Sequence, residues 1–281
     1  MKLITWNVQW CRGTDGRVDP ERVAASARGL GDFDVLCLQE VAIGFSGLGG
    51  SSGEDQMAVL SAALTGWRGH FAPATDLDDG RGGRRQFGNA IFTRLPVLQV
   101  FRHALPWPAD PSVPSMARVA LELVVQGSFG PVRVVSTHLE YYSATVRAAQ
   151  IEALRRLHQE ACAHARAPRP SGDPGEPFDA VPRPRSALIC GDFNCTPDGP
   201  EHARMTAPFG GDPTPFIDAW EVLHPDLRHP PTVGVHMDNL PRATFDFVFA
   251  TEDLAPRLQS IAIDGKAQAS DHQPIVLDLE D

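Results

Sequence analysis

No stretch of this 281-residue chain is apolar for long enough to cross a bilayer, which takes about 20 consecutive apolar residues in a helix. Lysine-rich arms are missing as well, the only lysines being Lys2 and Lys266. Lys and Arg together number 25 against 35 Asp and Glu, a formal charge of −10. That balance argues against a broad basic face of the kind that grips long duplex nucleic acid. Cysteine is sparse and odd in number, with Cys11, Cys37, Cys162, Cys190 and Cys195 in no paired spacing, so no disulfide framework is expected. Cys37 and Cys190 lie inside apolar runs and read as buried thiols. The chain enters a strand-like segment at once, Lys2-Leu3-Ile4-Thr5-Trp6, without the basic and apolar regions of a signal peptide. The expectation is a soluble, cytoplasmic protein, monomeric, with no protein partner to be inferred.

Hydrophobic residues make up 42% of the chain, ample for a core. Asp19 as N-cap and Pro20 at the first helical position open a helix over 20–30. A Gly/Ser-rich loop at 44–53 leads to a helix near 54–65. Strands are predicted near 67–73, 87–94, 97–103, 116–126 and 131–139. A long helix follows over 143–165, with Val146, Ala149, Ile151, Leu154 and Leu157 as its apolar stripe. Residues 167–185 are rich in Pro and Gly and read as a flexible surface insertion within a single catalytic domain spanning 1–281, because the next strand belongs to the same sheet. Strands near 186–191, 244–250, 257–263 and 274–280 complete an α/β protein of two mixed sheets packed face to face with helices outside.

Several apolar strands end in, or carry, a polar residue that a plain core would reject. The first delivers Asn7. The second, Asp34-Val35-Leu36-Cys37-Leu38-Gln39-Glu40, closes on Glu40, a carboxylate costly to bury unless a cation or donor meets it. Val132 to Glu140 carries His138. Ala187-Leu188-Ile189-Cys190 runs into Asp192 and Asn194, which period-two alternation places on one face. Asp246 lies among Phe245, Phe247 and Phe249, and Asp271-His272 precedes Ile275-Val276-Leu277. Such pairs, converging at strand ends, suggest hydrolysis of phosphate esters.

In order along the chain stand Thr-Trp-Asn (5–7), Leu-Gln-Glu-Val (38–41), Gly-Asn-Ala-Ile-Phe-Thr-Arg (88–94), Ser-Thr-His-Leu (136–139), Gly-Asp-Phe-Asn (191–194), Phe-Asp-Phe-Val-Phe (245–249) and Ser-Asp-His (270–272). This series resembles the endonuclease/exonuclease/phosphatase superfamily, which includes pancreatic-type deoxyribonucleases, apurinic-site endonucleases, neutral sphingomyelinases, inositol-polyphosphate phosphatases and tyrosyl-DNA phosphodiesterases. The resemblance implies a four-layer α/β/β/α sandwich and a divalent-metal-dependent hydrolase acting by in-line water attack. Glu40 and Asp271 are then the carboxylates expected to hold Mg²⁺ or Mn²⁺, with Asn7 as ligand or as orienter of Glu40. Asp192 is expected to deprotonate the attacking water and Asn194 to hold a phosphate oxygen or that water. His138 and His272 would donate to phosphate oxygens, and Asp246 would pair with His272.

Other residues are read more weakly. Asn89 is a site hydrogen-bonder or a strand-packing residue. Arg85 belongs with Arg81, Arg84 and Arg94 around a Gly-rich loop that is either solvated or substrate-binding. Tyr142, with Tyr141, is a candidate for the phosphate pocket. Arg147 and Gln150 read as a surface pair, Cys195 as an incidental thiol, and His224, His229 and His236 as residues of Pro-rich connections without ligand spacing. A nuclease or DNA-end phosphodiesterase is favoured by His138-Leu139-Glu140 and the arginine loop. The acidic charge favours a small-molecule or lipid-headgroup phosphoesterase, sphingomyelinase-like or inositol/sugar phosphatase-like, and a non-catalytic binding module is the remote alternative.

Overall fold

Side-chain alternation along twelve strands decides the layering of this protein. The computed structural model describes residues 1–167, 170–211, 213–238 and 241–280. The strands are β1 (Lys2–Asn7), β2 (Val35–Ile43), β3 (Arg68–Asp78), β4 (Arg84–Thr93), β5 (Val97–Ala104), β6 (Val119–Gly127), β7 (Gly130–His138), β8 (Ala187–Asp192), β9 (Phe216–Asp218), β10 (Asp246–Thr251), β11 (Leu258–Ile263) and β12 (Ile275–Leu279). The helices are α1 (Pro20–Gly29), α2 (Gln56–Ala63), α3 (Ala144–Arg166), α4 (Pro200–Thr206) and α5 (Ala219–Leu223). One sheet runs β11-β12-β1-β2-β4-β3 and the other β5-β6-β7-β8-β10-β9. Each has one central parallel pair, β1 with β2 and β7 with β8, flanked by antiparallel neighbours.

Leu3, Val35, Cys37 and Ile91 of the first sheet face Leu121, Leu123, Val134, Leu188, Cys190 and Val248 of the second in one apolar layer. The alternate residues Ile4, Trp6, Leu36, Leu38 and Phe92 point the other way, onto Val23, Ala24 and Ala27 of α1 and Leu60 of α2. Ala120, Val135, Ile189, Phe247 and Phe249 likewise meet Ile151 and Leu154 of α3. Three apolar layers between four layers of backbone give the expected α/β/β/α sandwich. Asp19 caps α1 by accepting from the Arg22 N–H at 2.9 Å. All five cysteines are buried and free.

Departures from expectation have physical causes. The segment β2 does not close at Glu40: it bulges between Leu38 and Val41 and continues to Ile43. In α3 the buried face includes Gln150, Arg155 and His158, while Leu157 is only half-buried. Polar atoms there find partners inside, so apolar periodicity misplaced the stripe. The short elements β9, α4 and α5 escaped notice because three to seven residues are too few to show a period. Between α3 and β8, where a 167–185 insertion is expected, Ser171 and Gly175 are bonded to Asp179 and Arg183 is paired with the buried Glu122; residues 168 and 169 lie outside the described residues, as do 212, 239, 240 and 281 of the expected 1–281 domain.

Arg133, 1% exposed, is buried beneath α3 with a guanidinium N–H 2.6 Å from His158 Nδ1. His158 Nε2 donates to the Thr214 carbonyl at 2.7 Å, so the ring must be the neutral Nε2–H tautomer. Burial first, and Arg133 next, push its pKa from 6.5 down to about 4. A pKa depressed on folding adds stability above the unfolded value and loses it as pH falls through the folded one. Unfolding by urea at pH values stepped from neutral to about 4 should therefore cost wild type up to roughly 3 kcal/mol more than His158→Gln. Parallel losses in the two proteins would mean that His158 is not held neutral.

Candidate active site

The first sheet brings Asn7 to the end of β1. Immediately after it, Gln9, Trp10 and Cys11 turn through left-handed backbone (φ 47°, 45° and 61°). That turn aims Gln9 Nε2 at Asp271 Oδ2, 2.6 Å away. Trp6 Nε1–H donates to the His272 carbonyl at 2.9 Å and Ser270 Oγ–H to the Asn7 carbonyl at 2.7 Å. The Ser270-Asp271-His272 segment is thus strapped along the end of β1. Glu40 occupies the bulge of β2 at φ 63°, and the Asn7 amide donates to its Oε1 at 3.1 Å.

From the second sheet, His138 ends β7, Asp192 ends β8 and Asp246 begins β10, all three in register. Gly191 has φ 134°, and a Cβ there would lie 1.9 Å from the Thr137 carbonyl oxygen, so the motif requires glycine. The Asn7 amide reaches across the gap between sheets to Asp192 Oδ2 at 2.9 Å. His138 Nε2 lies 3.6 Å and His272 Nε2 3.7 Å from the same oxygen. His272 Nδ1 is 2.8 Å from Asp246 Oδ2, which also accepts from Thr232 Oγ–H at 2.7 Å.

Asn194 joins this group by a different route from strand alternation. It lies beyond β8 at φ 49°, its backbone N–H bonded to Asp192 Oδ1 at 2.9 Å. Its amide nitrogen donates to the Leu139 carbonyl at 2.9 Å, which fixes the orientation of the amide, and to His138 Nε2 at 3.0 Å. Both amide protons are engaged, and His138 keeps only its Nδ1–H as a donor, on the Glu40 side at 3.8 Å. Asn7 is fixed in the same way: its Oδ1 accepts from the Gln9 N–H at 3.0 Å, which leaves the NH₂ for Glu40 and Asp192.

The electrostatics follow from burying these groups together. Burial and then the Asp246 charge push Asp192 up to about 7. Burial alone would lower His272, but the charge and hydrogen bond of Asp246, with Asp192 and Asp271, raise it to about 10. These contacts favour its charged, donating form; Asp192, Asp246 and His272 also stand close enough together to share an ion. Burial, Arg118 and His272 hold His138 well below its ordinary value, and burial raises Glu40. Glu40 is partly buried with its charged form disfavoured, and Asp271 Oδ1 meets the Ser270 hydroxyl at 3.3 Å, so two hard carboxylate donors stand at the same end of the first sheet. That donor set fits a divalent cation of the Mg²⁺ or Mn²⁺ type.

The weaker candidates divide. Asn89 is buried, and its amide donates to the Val119 and Ser136 carbonyls at 2.9 and 3.4 Å, tying the two sheets together beside Glu40 and His138. Arg85 is not brought to the cluster: it packs on Phe45 and donates to the Asp78 carbonyl. The arginine group is itself split, because β4 separates Arg84, paired with Asp76, from Arg94, paired with Asp32 and Asp34. Tyr142 is 58% exposed with its ring against Tyr141, which meets Phe245. Arg147 and Gln150 are no surface pair: Gln150 accepts from the Glu140 N–H and Arg147 donates to the Glu140 and Tyr141 carbonyls. The Cys195 thiol is pushed up to about 12 by burial and is inert. Sequence reasoning missed Gln9, Thr232 and Arg118, a buried guanidinium lining the same small cavity as Glu40, Asn89 and His138, with Nε 3.8 Å from Glu140 Oε2. The long separations of Gln9 and Thr232 from their partners leave no local signal.

A family model described as the Endonuclease/Exonuclease/phosphatase family matches residues 4–272. None of the curated proteins matches the chain. Among solved structures, an endonuclease/exonuclease/phosphatase from Beutenbergia cavernae is 23% identical with a TM-score of 0.67, covering 100% of this chain and 71% of that one. A mannosyl-6-phosphatase from Bacteroides thetaiotaomicron is 14% identical, TM-score 0.68, covering both chains completely at 100%. D. rerio TDP2 complexed with single strand DNA product is 20% identical, TM-score 0.65, covering 100% of this chain and 99% of that one. At these identities the likeness is one of fold.

The Asp246–His272 contact predicts a measurable titration. In NMR titrations of the imidazole resonances, Asp246→Asn should drop the His272 pKa from about 10 toward its ordinary 6.5. An unchanged value would show that the raised pKa comes from other groups.

Proposed function

Because the chain belongs to the endonuclease/exonuclease/phosphatase family and is a phosphoesterase, we propose that it cleaves phosphodiesters of nucleic acid or its ends by in-line water attack, with a divalent metal. The observation that carries this reading is the meeting of Asn7, His138 and His272 around Asp192, at 2.9, 3.6 and 3.7 Å. Asp192 takes the proton of the attacking water; a carboxylate at about 7 is matched to that task at neutral pH. His272, held in place by Asp246, donates from Nε2 to a phosphate oxygen as negative charge develops. His138 donates from Nδ1, oriented by Asn194, so Asn194 acts through His138 and not on the phosphate directly. Glu40 and Asp271 hold the cation, with Asn7 and Gln9 as the orienting amides. When bound, Mg²⁺ or Mn²⁺ supplies neutralisation of a phosphate oxygen and of the leaving-group charge.

A preference for strand ends is supported by three exposed aromatic side chains, two of them on residues tied to the Glu140 carboxylate and the third, Tyr141, with its ring against Tyr142. Tyr142 N–H donates to Glu140 Oε1, and Trp107 reaches Glu140 Oε2 through Ser115 Oγ. Trp107, Tyr141 and Tyr142 are 54%, 52% and 58% exposed. Aromatic faces of this kind stack bases at roughly 1–3 kcal/mol each. The charge of −10 favours a second reading, a small phosphomonoester or lipid-headgroup substrate. A panel of bis-p-nitrophenyl phosphate, p-nitrophenyl phosphate, abasic duplex, single strands and sphingomyelin separates the two. The diester and strand substrates should lead; dominance of p-nitrophenyl phosphate or sphingomyelin would establish the second.

Two consequences can be measured. Hydrolysis should stop in EDTA and return with Mg²⁺ or Mn²⁺, and Glu40→Gln should raise the metal concentration needed for half-maximal rate while leaving the circular dichroism unchanged. Full turnover of metal-stripped protein in excess chelator would sink the metal assignment. Asp192→Asn should lower kcat by about 10²–10⁴-fold with little change in KM. A near-normal kcat would move the base to another group, His138 first.

A further inference from the structure

A second convergence of ligand-type side chains lies on the far side of β10, apart from the site described above. His202 comes from α4, Asp218 from the end of β9, Glu221 from α5 and His229 from the loop that follows. One donor atom from each lies within 4.8 Å of all the others. His202 Nε2 is 2.8 Å and His229 Nε2 2.9 Å from a single oxygen, Asp218 Oδ2. The other oxygen, Oδ1, caps α5 by accepting from the Trp220 N–H at 2.7 Å. His202 and Asp218 are 5% and 2% exposed, whereas Glu221 stands at the surface. Phe247, Phe249 and Trp220 surround the two imidazoles. Glu221 and His229 line a cleft of about 870 Å³ that gives entry from solvent.

We propose that His202, Asp218, Glu221 and His229 form a structural zinc-type site, a second metal centre distinct from the Glu40–Asp271 pair. Two imidazole nitrogens with carboxylate oxygens are borderline donors, suited to Zn²⁺, whereas the all-oxygen set at Glu40 and Asp271 suits Mg²⁺. Two carboxylates balance the charge of a dication. Tetrahedral ligands at about 2.0–2.1 Å from the metal stand roughly 3.3 Å apart, so the two His–Asp218 spacings of 2.8 and 2.9 Å open by about half an ångström while the other donors, within 4.8 Å of one another, draw in. A plain hydrogen-bonded His–Asp–His cluster would explain the two contacts to Asp218. It gives no reason for Glu221, a second carboxylate turned to the same point, with no ion pair to a cation among the described residues. The site has mechanical sense as well. Helices of seven and five residues and a strand of three are too short to persist on their own, and this cluster joins all three to the next loop. Because β9 pairs with β10 through Phe249 and Asp218, the clamp braces the strand whose first residue is Asp246.

The test uses the full chain stripped of metal by chelation and carrying Glu40→Gln, so that the other site is weakened. Titrated with Co²⁺, this protein should bind one equivalent with the intense visible bands of tetrahedral cobalt, displaced by Zn²⁺, and Zn²⁺ should raise its Tm. Adding His229→Gln should abolish the bands and weaken Zn²⁺ at least about tenfold, the scale found even for outer partners of metal ligands. Glu221→Gln, at the exposed rim, should weaken Zn²⁺ without altering the circular dichroism of the metal-free protein. Absence of binding in the Glu40→Gln protein overturns the proposal, as does binding that neither added substitution changes. A Tm lowered by His229→Gln with no response to Zn²⁺ in its parent would identify the cluster as hydrogen-bonded only. The outcome is independent of the phosphodiesterase reading, since no step of the assay requires turnover.

Discussion

One amide holds the two halves of this molecule in functional register. The NH₂ of Asn7 donates to Glu40 in its own sheet at 3.1 Å and to Asp192 in the opposite sheet at 2.9 Å. Two carboxylates facing each other in a water-poor gap repel strongly, and an NH₂ between them gives each a proton to accept. Around that point the contacts between sheets are polar: Gln39 Nε2 to Ser136 Oγ, and Asn89 to the Val119 and Ser136 carbonyls. Elsewhere the interface is an apolar layer of Leu, Val, Ile and Cys. Apolar layers tolerate sliding; directional bonds do not, so the polar end sets the alignment that brings His138, Asp192, Asp246 and His272 together.

The backbone strain of the fold is concentrated at that same end. Among the described residues, the non-glycine positions with positive φ are Gln9, Trp10, Cys11, Glu40 and Asn194. Each left-handed residue costs about 1–2 kcal/mol. The buried rings and thiol of Trp6 and Cys11, and the straps from Gln9 to Asp271 and Ser270 to Asn7, hold them in place. Strain of this kind turns side chains where a regular strand would not send them. Without the bulge at Glu40, alternation would set its direction by the pleat of β2; with it, the carboxylate faces Asn7.

Much of this was legible in the sequence, and for a definite reason. Apolar runs of five to seven residues mark strands, and a polar residue closing such a run signals what the strand delivers; Asn7, His138, Asp192 and Asp246 were found that way. The route by which Glu40 and Asn194 arrive was not legible, because glutamate gives no sign of positive φ and asparagine, though enriched there, is common in other conformations too. Gln9 reaches a partner 262 positions away and Thr232 one 14 away, with nothing local to announce either. Arg147 and Gln150 looked like a surface pair because their partners are backbone groups of the 140–141 turn and of Pro106, shared by every residue, and a carboxylate 54 positions away, Glu201. His229 showed no ligand spacing because the groups that meet it come from α4, β9 and α5, none of which is long enough to have a period.

The pairing of β1 with β12 has a temporal consequence. Strand β1 is hydrogen-bonded on one side to β12, Leu3 opposite Leu277 and Thr5 opposite Ile275, and the Met1 nitrogen donates to the Leu279 carbonyl at 2.7 Å. At synthesis rates of about 5–20 residues per second, roughly 15 to 55 seconds separate the emergence of the two partners from a ribosome. Throughout that interval Ile4 and Trp6 sit on a strand with one open edge, and Asp271 and His272 do not yet exist. Until residues 271–279 emerge, β1 therefore lacks one neighbour and the charge cluster lacks Asp271 and His272, so the same short segment completes both.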